Sequence, residues 1–335
     1  MTSISPTPRR ILLIGRDYFF YTRAIADTLR SHIGADVDCI TIEPGSRFYS
    51  LARRVPKLAQ WWQDRHHRNA LARHGNTAYD LLLFVQVHQL EHRLGWYRAQ
   101  FPNTPARLYY WDSLATHDYS MHVPQFDAVF TFDPVDAEQN SALTYLPLFF
   151  TPAFRALRDV RPRPHDLSFV GTAVNRTRYD QLTALREKAG AQGLLLFDYL
   201  LVSPFFYLRE LLAGRRLRRV HFRPMPPADV MRAYAQSAAV LDLPNNRQTG
   251  FTMRTFETLG AHRKLVTTNL RAATAPFHSP ETVCVMTPGS DFPTRDWLRA
   301  ETAFPDAIET YSLETWAETL LGLTARPEAI DKVAP

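Results

Sequence analysis

The chain has 335 residues, too many for one simple core and suited to two medium domains. Hydrophobic residues at 45% and charged residues at 21% exclude wholesale disorder, and a formal net charge of +6 falls short of a histone-like chain. Two cysteines, Cys39 and Cys284, exclude a disulfide framework and a cysteine-based zinc site.

In chain order, RILLIG (10–15) reads as a buried strand and TRAIADTLRSHI (22–33) as the amphipathic helix behind it. VDCITI (37–42) is a second strand, followed by YDLLLFVQ (79–86), a helix over 90–100, ARLYYWD (106–112), FDAVFTFD (126–133) and LTYLPLFF (143–150). Short apolar runs separated by helical segments describe a parallel sheet wound with helices. The stretch 151–166 is rich in proline and arginine, has no clear period and reads as a linker.

The alternation then restarts with DLSFVG (166–171), a helix through 177–189, LLLFDYL (194–200) and RRVHFRP (218–224). A helix over 227–237, AVLDLP (239–244), a helix over 251–261, KLVTTN (264–269) and TVCVM (282–286) follow, with a last helix at 313–323. The expected fold is therefore α/β, with two Rossmann-like doubly wound domains facing a central cleft. Its parts are a first domain over 1–150, the linker, a second domain over 167–311, and a helix and tail over 312–335. Ligands of such sheets sit at the carboxyl ends of the strands. Cys39 and Cys284, inside strands, read as core residues.

Charge is unevenly spread, +1 over 1–150, +8 over 151–223 and −3 beyond. One source is 46–75, with seven Lys/Arg against Asp64, where Leu51, Val55, Leu58 and Trp62 recur at helical steps. The other is GRRLRRVHFR (214–223). A basic, aromatic-bearing helix suits an anionic membrane surface, and it also suits a solvated helix packed on the sheet. The adjacent Trp61 and Trp62 cannot both face one core. No nucleic-acid recognition motif is visible, so no nucleic acid is expected as partner. No apolar run approaches the roughly 18 residues of a membrane span. The N-terminus does not read as a signal peptide, so the expected location is cytoplasmic, with peripheral contact through 47–73.

The chemistry concentrates in LDLPNNRQTGFTMRTFETLGAHRKLVTTN (241–269). A strand ends, a polar loop follows and a helix opens near Thr252. Free backbone N–H groups and a hydroxyl there form a seat for a phosphate or diphosphate. Arg254 can add a bidentate charge contact, and Glu257 can accept both hydroxyls of a ribose. A helix cap with solvated charges would give the same pattern.

This stretch resembles the donor-binding domain of nucleotide-sugar glycosyltransferases of the GT-B fold, in which a polar loop, a helix bearing a glutamate, "L-G-A" and a strand like KLVTTN follow in that order. The resemblance extends to DLSFVGTAVNRTRYD (166–180), and to YYWDS (109–113) and 126–150, which look like bacterial polysaccharide or lipopolysaccharide glycosyltransferases akin to the spore-maturation-protein group. It implies that Glu257 holds the ribose and that Gln248, Thr249, Gly250 and Thr252 line the diphosphate and sugar. Gly171 and Thr172 match the first glycine turn, Arg178 the basic position after it, and Arg223 a basic diphosphate clamp. Many retaining members carry a second glutamate where this chain has Thr249. The resemblance implies a metal-independent hexosyltransferase with no cofactor. It would take a UDP-sugar by preference and a glycan or lipid-linked acceptor, in surface polysaccharide or lipopolysaccharide synthesis.

An inverting transferase also needs a base for the acceptor hydroxyl. Asp17, after the first strand, and Asp112, in YYWDS, rank level, with His117 behind them; strand-end aspartates also commonly cap the next helix. His66-His67 and the i, i+4 pair His88/His92 invite a metal reading, but Glu91 falls on another helix face and no third ligand joins them, so no metal site is expected. G-x-S-x-G, Walker and G-x-G-x-x-G motifs are missing. The alternatives are a nucleotide-sugar epimerase or hydrolase on the same fold, and a non-catalytic scaffold.

Overall fold

The computed structural model of the chain describes residues 7–16, 20–244, 249–287, 290 and 292–324. These form two compact units. The first takes the chain to Phe149, the residues leading to Phe251 and the helix that begins at Leu313; the second takes Phe150–Pro244 and Thr252–Ser312.

The first unit is built on six parallel strands: β1 (Arg10–Gly15), β2 (Asp36–Thr41), β3 (Leu81–Val85), β4 (Ala106–Tyr110), β5 (Ala128–Thr131) and β6 (Leu143–Tyr145). Their order is β2-β1-β3-β4-β5-β6. β3 is buried along its whole length, which explains why it reads as an unbroken apolar run rather than an alternating one. The strand order reverses between β1 and β3, and their carboxyl ends are where a doubly wound sheet offers a ligand crevice. The helix Leu313–Leu321 packs Trp316 against Tyr109 and Phe149, at ring separations of 4.9 and 5.0 Å.

The second unit carries five parallel strands: β7 (His165–Thr172), β8 (Leu196–Leu201), β9 (Ser237–Asp242), β10 (Lys264–Thr267) and β11 (Val283–Val285). Their order, β11-β10-β9-β7-β8, has its own reversal between β7 and β9. The core is formed by Leu167, Phe169, Leu182, Leu200, Leu241 and Val266 with their neighbours.

Several expectations differ from what is seen. In 143–150, β6 ends at Tyr145, before Pro147, which has no N–H to donate to a ladder, and Phe150 then forms only an isolated bridge to Ser312. Segment 218–224 contributes only an isolated bridge between Leu201 and His221. Within 151–166 lies a short helix, Pro152–Arg155, and β7 already begins at His165. The helix Pro204–Leu212, capped by Ser203, has no counterpart among the expected elements. Cys39 is exposed and Cys284 half-buried, because both lie on edge strands with an incompletely covered face.

The basic segment also departs from its apolar periodicity. Its long helix starts afresh at Pro56 and buries Gln63, His67, Ala70 and Leu71. Val55, Leu58 and Trp61 are exposed instead. The buried face tolerates polar residues because each is paired. Gln63 donates to the Tyr49 hydroxyl, and His67 is held between the Tyr97 hydroxyl at 2.7 Å and the carbonyl of Ile42 at 3.0 Å.

Candidate functional site

In the second unit, the expected residues Gly171, Thr172, Arg178, Thr252, Arg254 and Glu257 cluster around the carboxyl ends of β7 and β9. Arg254 donates to Asp242 at 3.0 Å and to the carbonyl of Val170, so it links the two strands at their reversal. Asp242 is fully buried at the last position of β9 and also accepts from the hydroxyls of Thr252 and Thr255, at 2.9 and 2.8 Å. Arg178 performs a second linkage. Its Nε donates to Thr172 O at 2.8 Å, and its Nη atoms donate to Leu243 O and Pro244 O at 2.7 and 3.1 Å. Burial and the neighbouring Arg254 charge push Arg178 below the ordinary guanidinium value.

Thr252 is the N-cap of the helix Met253–Gly260, accepting from Thr255 N, so this helix presents its N-terminus beside Asp242. Glu257 is buried one turn further on and accepts from the Tyr234 hydroxyl at 3.3 Å. Burial first, and then the Glu257 charge, hold the Tyr234 phenol well above its ordinary value, so it acts as a donor. Gly171 has no room for a side chain, because a Cβ would stand 2.6 Å from the Phe169 ring, over which Arg254 also lies. Arg223 is exposed, two residues beyond the bridge at the end of β8, and its carbonyl accepts from Tyr199.

Thr249 and Gly250 belong to the first unit. Their N–H groups and the Thr249 hydroxyl all donate to Asp133, which is buried and caps the helix Pro134–Gln139. The donors expected to face a diphosphate are thus already engaged by a carboxylate. Gln248 and Asp17 lie outside the described residues.

At the carboxyl ends of β3 and β4, the half-buried Asp112 accepts from Gln86 Nε2 at 2.5 Å. Gln86 is held at φ 67°, a region that residues other than glycine rarely adopt, and its buried Oε1 lacks a hydrogen-bond partner among the described residues. His117 pairs through Nδ1 with the Tyr110 hydroxyl, and its Nε2 stands 3.0 Å from His88 Nδ1. The i, i+4 relation of His88 to His92 is not realised. His88 lies in a turn, with Gln89 at φ 72°, and the side chain that meets it is Glu91. His67 spends both ring nitrogens on Tyr97 and Ile42, and His66 engages Thr41 through Nε2.

Sequence reasoning passed over Asp242, Asp133 and Gln86, and it set Glu91 aside as lying on another helix face, whereas Glu91 meets both His88 and His117. Asp242 ends a strand as Asp112 nearly does, so the same rule could have found it. Asp133 precedes a proline at a helix start, a capping signature. Gln86 and Glu91 carry no such signal, because their placement depends on two left-handed residues that spacing does not reveal.

No family profile and no curated protein matches this chain. Among solved structures it is similar to the lipopolysaccharide outer core galactosyltransferase WaaB in its apo form, at 12% identity and a TM-score of 0.52, covering 94% of this chain and 99% of that one. It is also similar to AviGT4, a glycosyltransferase involved in avilamycin A biosynthesis, at 13% identity and a TM-score of 0.53, covering 93% and 96%. With one all-parallel sheet of six strands, one of five, and nearly end-to-end correspondence to both structures, the chain has the two-Rossmann-domain fold of the GT-B glycosyltransferases.

Proposed function

We propose that the protein is a glycosyltransferase that moves a sugar from a nucleotide-sugar donor, a UDP-sugar by preference, to a glycan or lipid-linked acceptor. The second domain takes the donor and the first the acceptor. The observation that carries this reading is the meeting of a capped helix N-terminus, the buried Glu257 and the small residues Gly171 and Thr172 at the β7/β9 reversal. Glu257 would receive the ribose hydroxyls. The N–H groups behind Thr252, with Arg223, would take the charge of the departing diphosphate.

On the acceptor side, Asp112 is the base. As the acceptor oxygen bonds to the anomeric carbon and the bond to the diphosphate oxygen breaks, the hydroxyl proton passes to the Asp112 carboxylate, oriented by Gln86.

Surface polysaccharide or lipopolysaccharide assembly at the cytoplasmic face of a membrane is the setting we propose. Among the described residues, no helix is long and apolar enough to cross a bilayer. Two surfaces favour peripheral contact with anionic lipid. One exposes Val55, Leu58 and Trp61 beside Arg53, Arg54 and Lys57; the other exposes Phe205, Leu208 and Leu212 beside Arg215 and Arg216.

A thermal-shift titration against UDP, GDP, dTDP, CMP and ADP tests the donor site, because a ligand that binds only the native state raises the melting temperature. One nucleotide should stabilise the wild type, and E257A should lose that response while remaining folded. If no nucleotide shifts the wild type at millimolar concentration, the scaffold reading replaces this one.

A further inference from the structure

Three side chains that play no part in the donor site converge in the first domain, after β3 and β4. His88 Nδ1 lies 3.0 Å from His117 Nε2, and the same oxygen of Glu91 lies 3.5 Å from the first atom and 3.3 Å from the second. Two nitrogens and one oxygen thus form a nearly equilateral triangle. A single shared proton joins only one edge of it and leaves another lone pair facing the carboxylate, whereas a cation accepts all three together.

The dimensions fit a particular class of ion. Ligand atoms set tetrahedrally about 2.0–2.1 Å from zinc stand about 3.3–3.4 Å from one another. Two imidazoles with one carboxylate form a set that zinc and its neighbours favour, and three protein ligands leave a position for water or substrate oxygen. The surroundings support the assignment. The Tyr110 hydroxyl stands at the other nitrogen of His117, where accepting Nδ1–H fixes Nε2 as the ligand. The left-handed backbone at Gln86 and Gln89 turns His88 and Glu91 to one side. A cavity of 360 Å³, lined by His88 and Glu91 together with Tyr49, Arg53, His92 and Arg93, gives an ion a path of entry.

We propose that His88, Glu91 and His117 bind a divalent cation of the zinc class, with one coordination position open. The site lies wholly within the first domain and does not depend on the transferase reading. Occupied, it removes His117 from the candidates for a free base and leaves Asp112.

The test is a titration of the full chain, stripped of metal with a chelator, using Co²⁺ followed by its visible d–d absorption, and then displacement of cobalt by Zn²⁺. One equivalent should bind with the intense bands of a low-coordinate site. H88A and H117A should abolish those bands, E91Q should weaken binding, Y110F should cost about 10-fold or more in affinity, and H92A should change nothing. His88 is exposed in a turn, so H88A should keep its metal-free melting temperature, which is measured alongside. A wild type without cobalt bands, or an H88A/H117A double variant that binds as the wild type does, overturns the proposal. Nucleotide-induced thermal shifts on the same samples report on the donor site separately.

Discussion

Asp133 accepts the backbone N–H and the hydroxyl of Thr249, 116 positions further along the chain, and with the same carboxylate caps its own helix and receives Gly250 N. A carboxylate with five donors is costly to remove, since each partner left buried and unpaired keeps its desolvation penalty. D133A should destabilise the protein by about 3 kcal/mol in chemical denaturation, against about 1 kcal/mol for T249V, which removes only the hydroxyl. Equal effects of the two would mean that the Thr249 hydroxyl carries the whole contribution, and that the cap and the backbone donors add nothing.

Gly260 ends the helix that carries Glu257. In an exposed helix, replacing glycine by alanine gains up to about 1 kcal/mol. Here a Cβ would stand 2.3 Å from the Phe150 ring, so G260A should destabilise by about 1–3 kcal/mol, and a raised melting temperature would refute the packing argument.

The glycine of "L-G-A" was thus legible as a motif, while its physical cause, a phenylalanine 110 positions earlier, was not. The same division holds elsewhere. Strands β1, β3, β7 and β9 announce themselves as apolar runs because they are buried on both faces. The helix Pro204–Leu212 was hidden because its apolar residues Phe205, Leu208 and Leu212 face solvent, so it shows no core stripe. The residues that meet at the ends of β7 and β9 could be picked out because each group is contiguous within one strand–loop–helix stretch. After β3 and β4, Asp112 and His117 were named singly, but their meeting with Gln86, His88 and Glu91 was not foreseen, because it joins two turns whose approach depends on backbone conformation.

Burial holds His67 at about 4, below its ordinary 6.5. The unfolded chain therefore takes up a proton near pH 6.5 that the folded chain refuses until about pH 4. The stability from this group is complete above pH 6.5 and is lost as pH falls through that window, by up to about 3 kcal/mol. Melting temperatures should fall between pH 7 and 4. H67Q should be less stable at pH 7 and show a shallower decline, and an unchanged slope would assign the acid sensitivity elsewhere.

If Asp112 is the base, D112N should lower turnover by about 10²–10⁴-fold while leaving the nucleotide-induced thermal shift intact. Loss of both together would point to a folding defect, and full turnover would remove Asp112 from the mechanism.

Co-sedimentation with anionic vesicles checks the two basic and apolar surfaces. Reversing Arg53, Arg54 and Lys57 to glutamate, or replacing Phe205 and Leu212 by glutamate, should each weaken binding, and high salt should weaken what remains. Neutral vesicles should bind less throughout. Retention unaffected by either variant would exclude these surfaces.

Arg178 and Arg254 fasten the ends of β7 and β9 to each other through carbonyls of Val170, Thr172, Leu243 and Pro244. A sheet whose rim is already stitched has little freedom left to surrender when a small molecule settles there, so more of the contact energy is expressed as affinity. The same stitching means that the positive charges nearest the strand ends are committed to architecture. On the proposed function, an anion at this rim would be met by amide groups and by the exposed Arg223, which could be exchanged without loosening the sheet.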